Sequence, residues 1–504
     1  MDKKKSLLNV SVSLAFKLIT TIMVLVVKRL LIDTCGNEVN GLNALYLSVI
    51  GFLSVAELGV GSAITFCMYR PIVEGNHRQV SALYQLFRRL YWIIGAVIFV
   101  AGMLLAPFIH HFARDYVALD VNLQTTFILM LLSVVITYLF SAKTSLINAY
   151  KNNYITTAIT SGGIVLQYVL QIAVLLATQS YTGYLVCRIV AALAQWVVTE
   201  VIARKKYQPV MADHQQIDAE TKHTLVKSIR AMFMHKVGVL LVNTVDSVVI
   251  SVCIGVVTLG VYSNYTAVLT AMTGIISVAF SSLTSIVGHL YVKEKRNAQK
   301  YHEAFHLINF VIGMIFYLGY YAIIDELISL LFSADLVSQR SVAFVIALNG
   351  FVQFMRTGTL TFRDSTGTFY NDRWKPLIEG LVNIILSVIL VKIIGVVGVI
   401  AATIVTNLLI CHVVEPYVLF RNAFFASPAK YYVRNYLYVA AFVIGMVLFE
   451  QVAVQYENVF IKLLINGSVS VGISAGICGL AMLSMKDCVR MMKSAVIRKG
   501  ESVQ

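Results

Sequence analysis

The chain has 504 residues, 58% of them apolar and only 13% charged, with a mean hydropathy of +0.79. Globular proteins run near about half apolar and about a quarter charged, so this composition excludes an ordinary soluble protein and any sizeable soluble domain. The net charge of +15 is spread over many short connections, which suits anionic lipid at a membrane surface and not nucleic acid.

A helix needs roughly 20 apolar residues to cross about 30 Å of hydrocarbon. Taken from the N-terminus, stretches of that order predict spans over 7–32, 41–69, 90–112, 121–142, 156–178, 182–203 and 231–254. They continue over 261–291, 304–332, 337–362, 375–394, 397–420, 435–451 and 460–485. The first has no small-x-small cleavage site and runs straight into further spans, so it is expected to stay in the membrane and not to be cleaved as a signal peptide. Transmembrane strands would be about half as long and would alternate polar with apolar residues, which these do not. The predicted fold class is an all-α polytopic membrane protein of about fourteen helices.

The basic residues test that count. Alternate connections, with both termini in the same set, hold 31 of the 40 lysines and arginines. The opposite set holds four: Arg114, Arg340, Lys392 and Lys462. Cytoplasmic connections carry such an excess, so an even number of spans with both termini in the cytoplasm is expected. The most polar connection, 204–230, is expected to separate a first lobe of six spans (1–203) from a second (231–421). Residues 422–504 add two spans and a basic tail. A shift of 219 residues superposes Lys17 on Lys236, Val26 on Val245, Gly36 on Gly255, Gly41 on Gly260, Tyr46 on Tyr265 and Val49 on Val268. Parallel repeats of this kind are a common transporter plan, with substrate handled between the halves.

Three passages carry a family resemblance. The run from Arg29 to Ile64 (RLLIDTCGNEVNGLNALYLSVIGFLSVAELGVGSAI) resembles the opening of bacterial polysaccharide flippases of the O-antigen exporter type, members of the MATE-like MOP exporter superfamily. Leu259–Tyr265 (LGVYSNY) and the residues Lys375, Pro376, Glu379, Asn383 and Ser387 are similar to patterns at the matching places. Cys35-Gly36 departs from the Leu-Gly more usual at that turn. The resemblance spans most of the chain and is specific to the family, not to any one sugar. It implies movement of an undecaprenyl-pyrophosphate-linked oligosaccharide from the inner to the outer leaflet of the bacterial plasma membrane, by alternating access. Polymerase and glycosyltransferases of the same pathway are the implied partners, beside the membrane lipids.

A charge at mid-membrane costs roughly 2.5–3.5 kcal/mol on insertion scales, so each needs a partner or a water-filled cavity. Five basic residues fall within spans: Lys17, Lys28, Arg29, Arg188 and Lys236. Ser6, Ser13, Lys17, Thr20, Thr21 and Lys28 share one face of the first span, and Lys236, Asn243 and Ser247 align on the seventh. Two such stripes on repeat-related helices point to one basic cavity for a pyrophosphate, with Lys17 and Lys236 its leading members. Lys28 and Arg29 lie within a turn of a span end, where snorkelling to headgroups is the competing account. Arg188 is open to both roles. Arg356, Arg363 and Lys375 either form a basic vestibule or express only the cytoplasmic charge bias.

Among the acids, Asp246, Glu57 and Glu379 are candidates for proton or sodium coupling, with Glu415 at a further span. A structural ion pair serves equally for Asp246, and a hydrogen bond to a neighbouring helix for Glu57. The seven cysteines show no C-x-x-C spacing and are expected to be buried thiols, and His110-His111 lacks ligands at metal spacing. No Walker loop, dinucleotide fingerprint or nucleophile–base constellation is present, so neither an ATP-driven pump nor an enzyme is expected, and no cofactor. A multidrug or cation antiporter on the same scaffold is the alternative. It would call for an acidic cavity, where spans 1 and 7 offer lysines.

Overall fold

The computed structural model describes residues 3–57, 60–115, 121–212, 244–293, 297–368 and 371–485. Among these there is no strand; the chain is a succession of helices. The first predicted span forms α1 (Lys3–Cys35). The second is not one continuous helix: α2 (Asn37–Leu53) gives way to a tight 3-10 turn at Ser54–Glu57 before α3 (Val60–Val73) resumes. The interruption coincides with Glu57, whose carboxylate accepts a hydrogen bond from the Tyr91 hydroxyl (2.9 Å) instead of pointing into lipid.

There follow α4 (His77–Leu105), α5 (Leu123–Ala149), α6 (Asn153–Thr178) and α7 (Tyr181–Ala212). Asn76 and Asn122 cap the backbone N–H groups of Gln79 and Thr125 at the starts of α4 and α5. The seventh span is described only as α8 (Thr244–Cys253). The remainder comprises α9 (Val256–Lys293), α10 (Ala298–Leu331), α11 (Arg340–Thr366), α12 (Lys375–Thr406), α13 (His412–Leu419), α14 (Ala429–Val452) and α15 (Val459–Ser484).

Eight segments among the described residues are long and apolar enough to cross a membrane, which makes this a multi-pass membrane protein. One of them, Lys375–Phe424, has 50 residues. At 1.5 Å per residue it would reach about 75 Å, more than twice the hydrocarbon thickness. It bends where Gly395 adopts φ 60°, ψ −139°, a conformation that side chains resist. This break separates the predicted spans 375–394 and 397–420.

Two compact units result: residues 1–263 with 376–380, and residues 264–375 with 381–504. In the first, α8 and the start of α9 join the preceding helices through close backbone contact and amide hydrogen bonds. Gly36 (φ 90°) and Gly255 (φ 150°) turn the chain between α1 and α2 and between α8 and α9. The starts of α2 and α9 then cross at Gly41 and Gly260. A Cβ on Gly41 would lie 1.9 Å from the Val256 carbonyl oxygen, and one on Gly260 2.4 Å from that of Asn37. Asn37 and Asn40 donate across the crossing to the carbonyls of Val257 (3.0 Å) and Gly260 (3.2 Å). The Tyr46 hydroxyl reaches the Leu123 carbonyl (2.8 Å) where α5 begins.

The second unit repeats that last contact with its own residues. The hydroxyl of Tyr265, the repeat partner of Tyr46, accepts from the Ser338 N–H (3.0 Å) just ahead of α11 and donates to Asp325 (2.7 Å). Arg340 bridges Asp325 (2.8 Å) and Glu450 (2.9 Å) and lies 3.9 Å over the Tyr321 ring. Its core is aromatic, with Phe351 stacked on Phe442 at 4.1 Å and Phe310 on Tyr438 at 4.0 Å.

Candidate functional site

The densest charged assembly lies in the second unit, where α11, α12 and α13 meet. Glu415 is 1% exposed and receives two cations. Arg356 donates to it from Nε (3.2 Å) and Nη2 (2.6 Å), and Lys375 from Nζ (2.6 Å). Arg356 also donates to Asn407 (2.5 Å), and Lys375 to the Cys411 sulfur (3.4 Å). Asn407–Cys411 is a wider, π-helical turn, and such turns re-aim side chains within a helix. Two turns further along α11, Arg363 pairs with the fully buried Asp372 (2.8 Å) and with Asp364 (3.2 Å). The sequence-predicted residues Arg356, Arg363 and Lys375 are thus gathered here, each held by a carboxylate.

Against this cluster packs a network that composition alone does not announce. His412 accepts at Nδ1 from the Asn435 side-chain amide nitrogen (2.9 Å) and donates from Nε2 to the Val352 carbonyl (3.0 Å). Asn435 continues to His306 (3.2 Å), while His302 meets Thr359 (3.2 Å), whose hydroxyl donates to Tyr431 (3.1 Å). All three histidines are buried. The i, i+4 spacing of His302 and His306 was legible as one helix face; their partners on α11, α13 and α14 were not. Among the described residues no group of His, Cys, Asp or Glu side chains could hold a metal.

Beside the network, α14 and α15 enclose a groove of about 710 Å³ closed on one side by Phe310 of α10. Val433, Leu437, Ala441 and Ile444 line it from α14, and Ile477, Leu480 and Ala481 from α15. Lys430 and Arg434 stand at one end, the end that the charge distribution predicts to face the cytoplasm. This groove was missed in the sequence, where α14 and α15 register only as apolar spans.

The remaining predicted residues are dispersed. Lys28 does not snorkel: its Nζ donates to the Ser263 hydroxyl (2.8 Å) and carbonyl (3.2 Å), joining α1 to α9. Arg29 forms an exposed pair with Asp33 (2.5 Å) on its own helix. Lys17 is exposed, and Lys236 lies outside the described residues, as does most of the 204–230 connection. Arg188 has Tyr184 at hydrogen-bond distance, and its Nε is buried without a partner among the described residues. Asp246 and Glu379 are buried, Asp246 beside Tyr262. One turn on from Glu379, Asn383 donates to Thr403 (2.8 Å), while the Asn383 carbonyl oxygen and the Ser387 hydroxyl find no partner among the described residues. Of the six described cysteines Cys187, Cys411 and Cys478 are buried, while Cys35, Cys67 and Cys253 are only half-buried.

Solved structures of transporters share the fold of this chain. A lipid II flippase, MurJ, in an inward closed conformation aligns with TM-score 0.67 over 94% of this chain and 99% of its own, at 13% identity. The chain has the MOP-superfamily fold. An inward-facing MATE-family multidrug resistance transporter of that superfamily aligns with TM-score 0.61 over 82% of this chain and 98% of its own, at 13% identity. VcmN, a MATE transporter of Vibrio cholerae, gives 0.55 over 84% and 98%, at 12% identity. No protein-family model and no curated protein sequence matches the chain.

Proposed function

We propose that this MOP-fold chain is a flippase. It moves an oligosaccharide linked to undecaprenyl pyrophosphate from the inner to the outer leaflet of the bacterial plasma membrane, for surface polysaccharide synthesis. The groove between α14 and α15 carries the proposal. It is apolar along its length and ends on Lys430 and Arg434, the polarity pattern of one lipid tail with an anionic head. Both termini face the cytoplasm in this scheme, so the cationic end of the groove opens where lipid-linked intermediates are assembled. The sugar–pyrophosphate head enters a basic cavity that includes Lys17 and Lys236, the halves rock, and the head is released outside. Bound substrate favours closure only if the occluded state holds it more tightly than the open ones. The driving ion is a proton or sodium, with Asp246, Glu57 and Glu379 the acids proposed to carry it. Polymerase and glycosyltransferases of the same pathway are the proposed partners.

Export of cationic drugs is less well supported, because the two most buried acids of the charged cluster, Glu415 and Asp372, are already neutralised by Arg356, Lys375 and Arg363. Proteoliposomes holding a fluorescent polyprenyl-pyrophosphate oligosaccharide decide between the two. Wild-type protein is expected to expose the label to an outer quencher, and Leu437→Trp with Ala441→Trp, which fill the groove, to slow this at least about tenfold. Lys17→Ala and Lys236→Ala are expected to abolish flipping while the protein still inserts. Unchanged flipping in the groove variant, or drug efflux with no flipping by wild type, would sink the proposal.

A further inference from the structure

The first unit contains a polar cavity of its own, on helices that contribute neither to the groove nor to the Glu415 cluster. α4, α5 and the end of α7 enclose about 350 Å³, within the range of small-ligand sites. Arg88, Lys143 and Arg204 line it with three cations against one carboxylate, Glu200. Glu200 pairs with Lys143 and with Arg204 (2.6 Å), so it holds both cations to the same wall instead of neutralising the set. Arg88 makes no ion pair among the described residues.

Tyr84 supplies a separate pointer to a ligand. It lines the cavity, is 1% exposed, and its buried hydroxyl has no hydrogen-bond partner among the described residues. Buried hydroxyls are seldom left unsatisfied, and an anionic oxygen in the cavity would accept this one. The wall is also braced. α7 leaves helical geometry at Tyr207, two residues before Pro209, and its last turn folds over the cavity. The Met211 carbonyl there accepts a hydrogen bond from Gln85 of α4 (2.8 Å).

We propose that this cavity binds the phosphate of an anionic phospholipid headgroup from the cytoplasmic leaflet. The arginine, lysine and tyrosine donors suit a phosphate, which takes several charge-assisted hydrogen bonds at once. Basic pockets between helices on the cytoplasmic side capture anionic headgroups, and this cavity lies where α4 begins and α5 and α7 end, the end predicted to be cytoplasmic. Exposed apolar side chains continue from both arginines into the span: Trp92 one turn from Arg88, and Val201 and Val197 one and two turns from Arg204. They form a track for acyl chains that a soluble phosphate would leave unused. The proposal is independent of the flippase reading and concerns a bound lipid, not the transported one.

The test uses the full-length protein in detergent, titrated with phosphatidylglycerol, phosphatidylcholine or inorganic phosphate. Retained lipid is counted by native mass spectrometry. Phosphatidylglycerol is expected to stay on the wild type and to bind at least about tenfold more weakly to Arg88→Gln/Arg204→Gln, which loses two charge-assisted contacts. Tyr84→Phe removes one hydroxyl and no ion pair, so it serves if the arginine variant fails to fold; a severalfold weakening is expected. Millimolar inorganic phosphate should leave the lipid in place. Equal retention of phosphatidylglycerol by wild type and both variants, or equal retention of phosphatidylcholine, overturns the site. Displacement by inorganic phosphate overturns the lipid and assigns the pocket to a soluble anion.

Discussion

At the residue scale, the ionisable side chains of the described spans are mostly spoken for. Two cations converge on Glu415, and removing one side of a buried pair leaves an uncompensated charge. Glu415→Ala strands both Arg356 and Lys375 and is expected to destabilise by about 3–5 kcal/mol. Lys375→Met leaves Arg356 and Glu415 paired and should cost less than about half as much. Thermal unfolding in detergent compares them, and equal losses would mean that the two cations do not share the carboxylate. Arg356, Arg363 and Lys375 were legible in the sequence as a basic group. Their carboxylate partners were less so, because Arg356 and Glu415 stand 59 residues apart and meet only when α11 packs on α13. Lys28 shows the same limit. Its place near a span end suggested snorkelling, and only the approach of α9 supplies Ser263 as its acceptor.

At the element scale, the crossing of α2 and α9 depends on glycines that the 219-residue repeat had already paired. A Cβ at Gly41 would run into the backbone of Val256, which cannot yield as a side chain can. Gly41→Ala is therefore expected to cost about 1–3 kcal/mol, in the manner of an overpacked core. Gly472→Ala in α15, where nothing lies within 4 Å, is expected to be neutral or slightly stabilising. The fraction of monodisperse protein surviving a heat step on size-exclusion chromatography distinguishes the two. A Gly41→Ala protein as heat-resistant as wild type would show that the helices can part without penalty. The breaks within elements were partly legible as well. The gap between spans 375–394 and 397–420 contains Gly395, but the turn at Ser54–Glu57 interrupts a stretch that is apolar on both sides, and the Tyr91 hydroxyl that meets Glu57 there comes from α4.

At the scale of the whole molecule, hydropathy and charge bias predict fourteen spans with both termini in the cytoplasm. Alkaline phosphatase fused after Asp115, Asp335 or Gln455 is expected to be active, and after Ala212 or Met485 inactive. Activity at Met485 would break the even parity on which the orientation rests. The repeat partners Tyr46 and Tyr265 each reach the start of the fourth span of their own half, so the weak sequence repeat corresponds to a repeated contact.

Span number, helical class and charge bias were determined by the sequence alone. Crossing a bilayer demands only a length of apolar residues, and orientation only a count of basic ones, both of which are local and additive. The tertiary structure alone decided which charges are neutralised, where an apolar groove opens between α14 and α15, and that Tyr84 faces three cations in a cavity. Each of these depends on side chains far apart in the chain arriving at one place. Packing of helix on helix sets that arrangement, and the period of a single helix does not encode it.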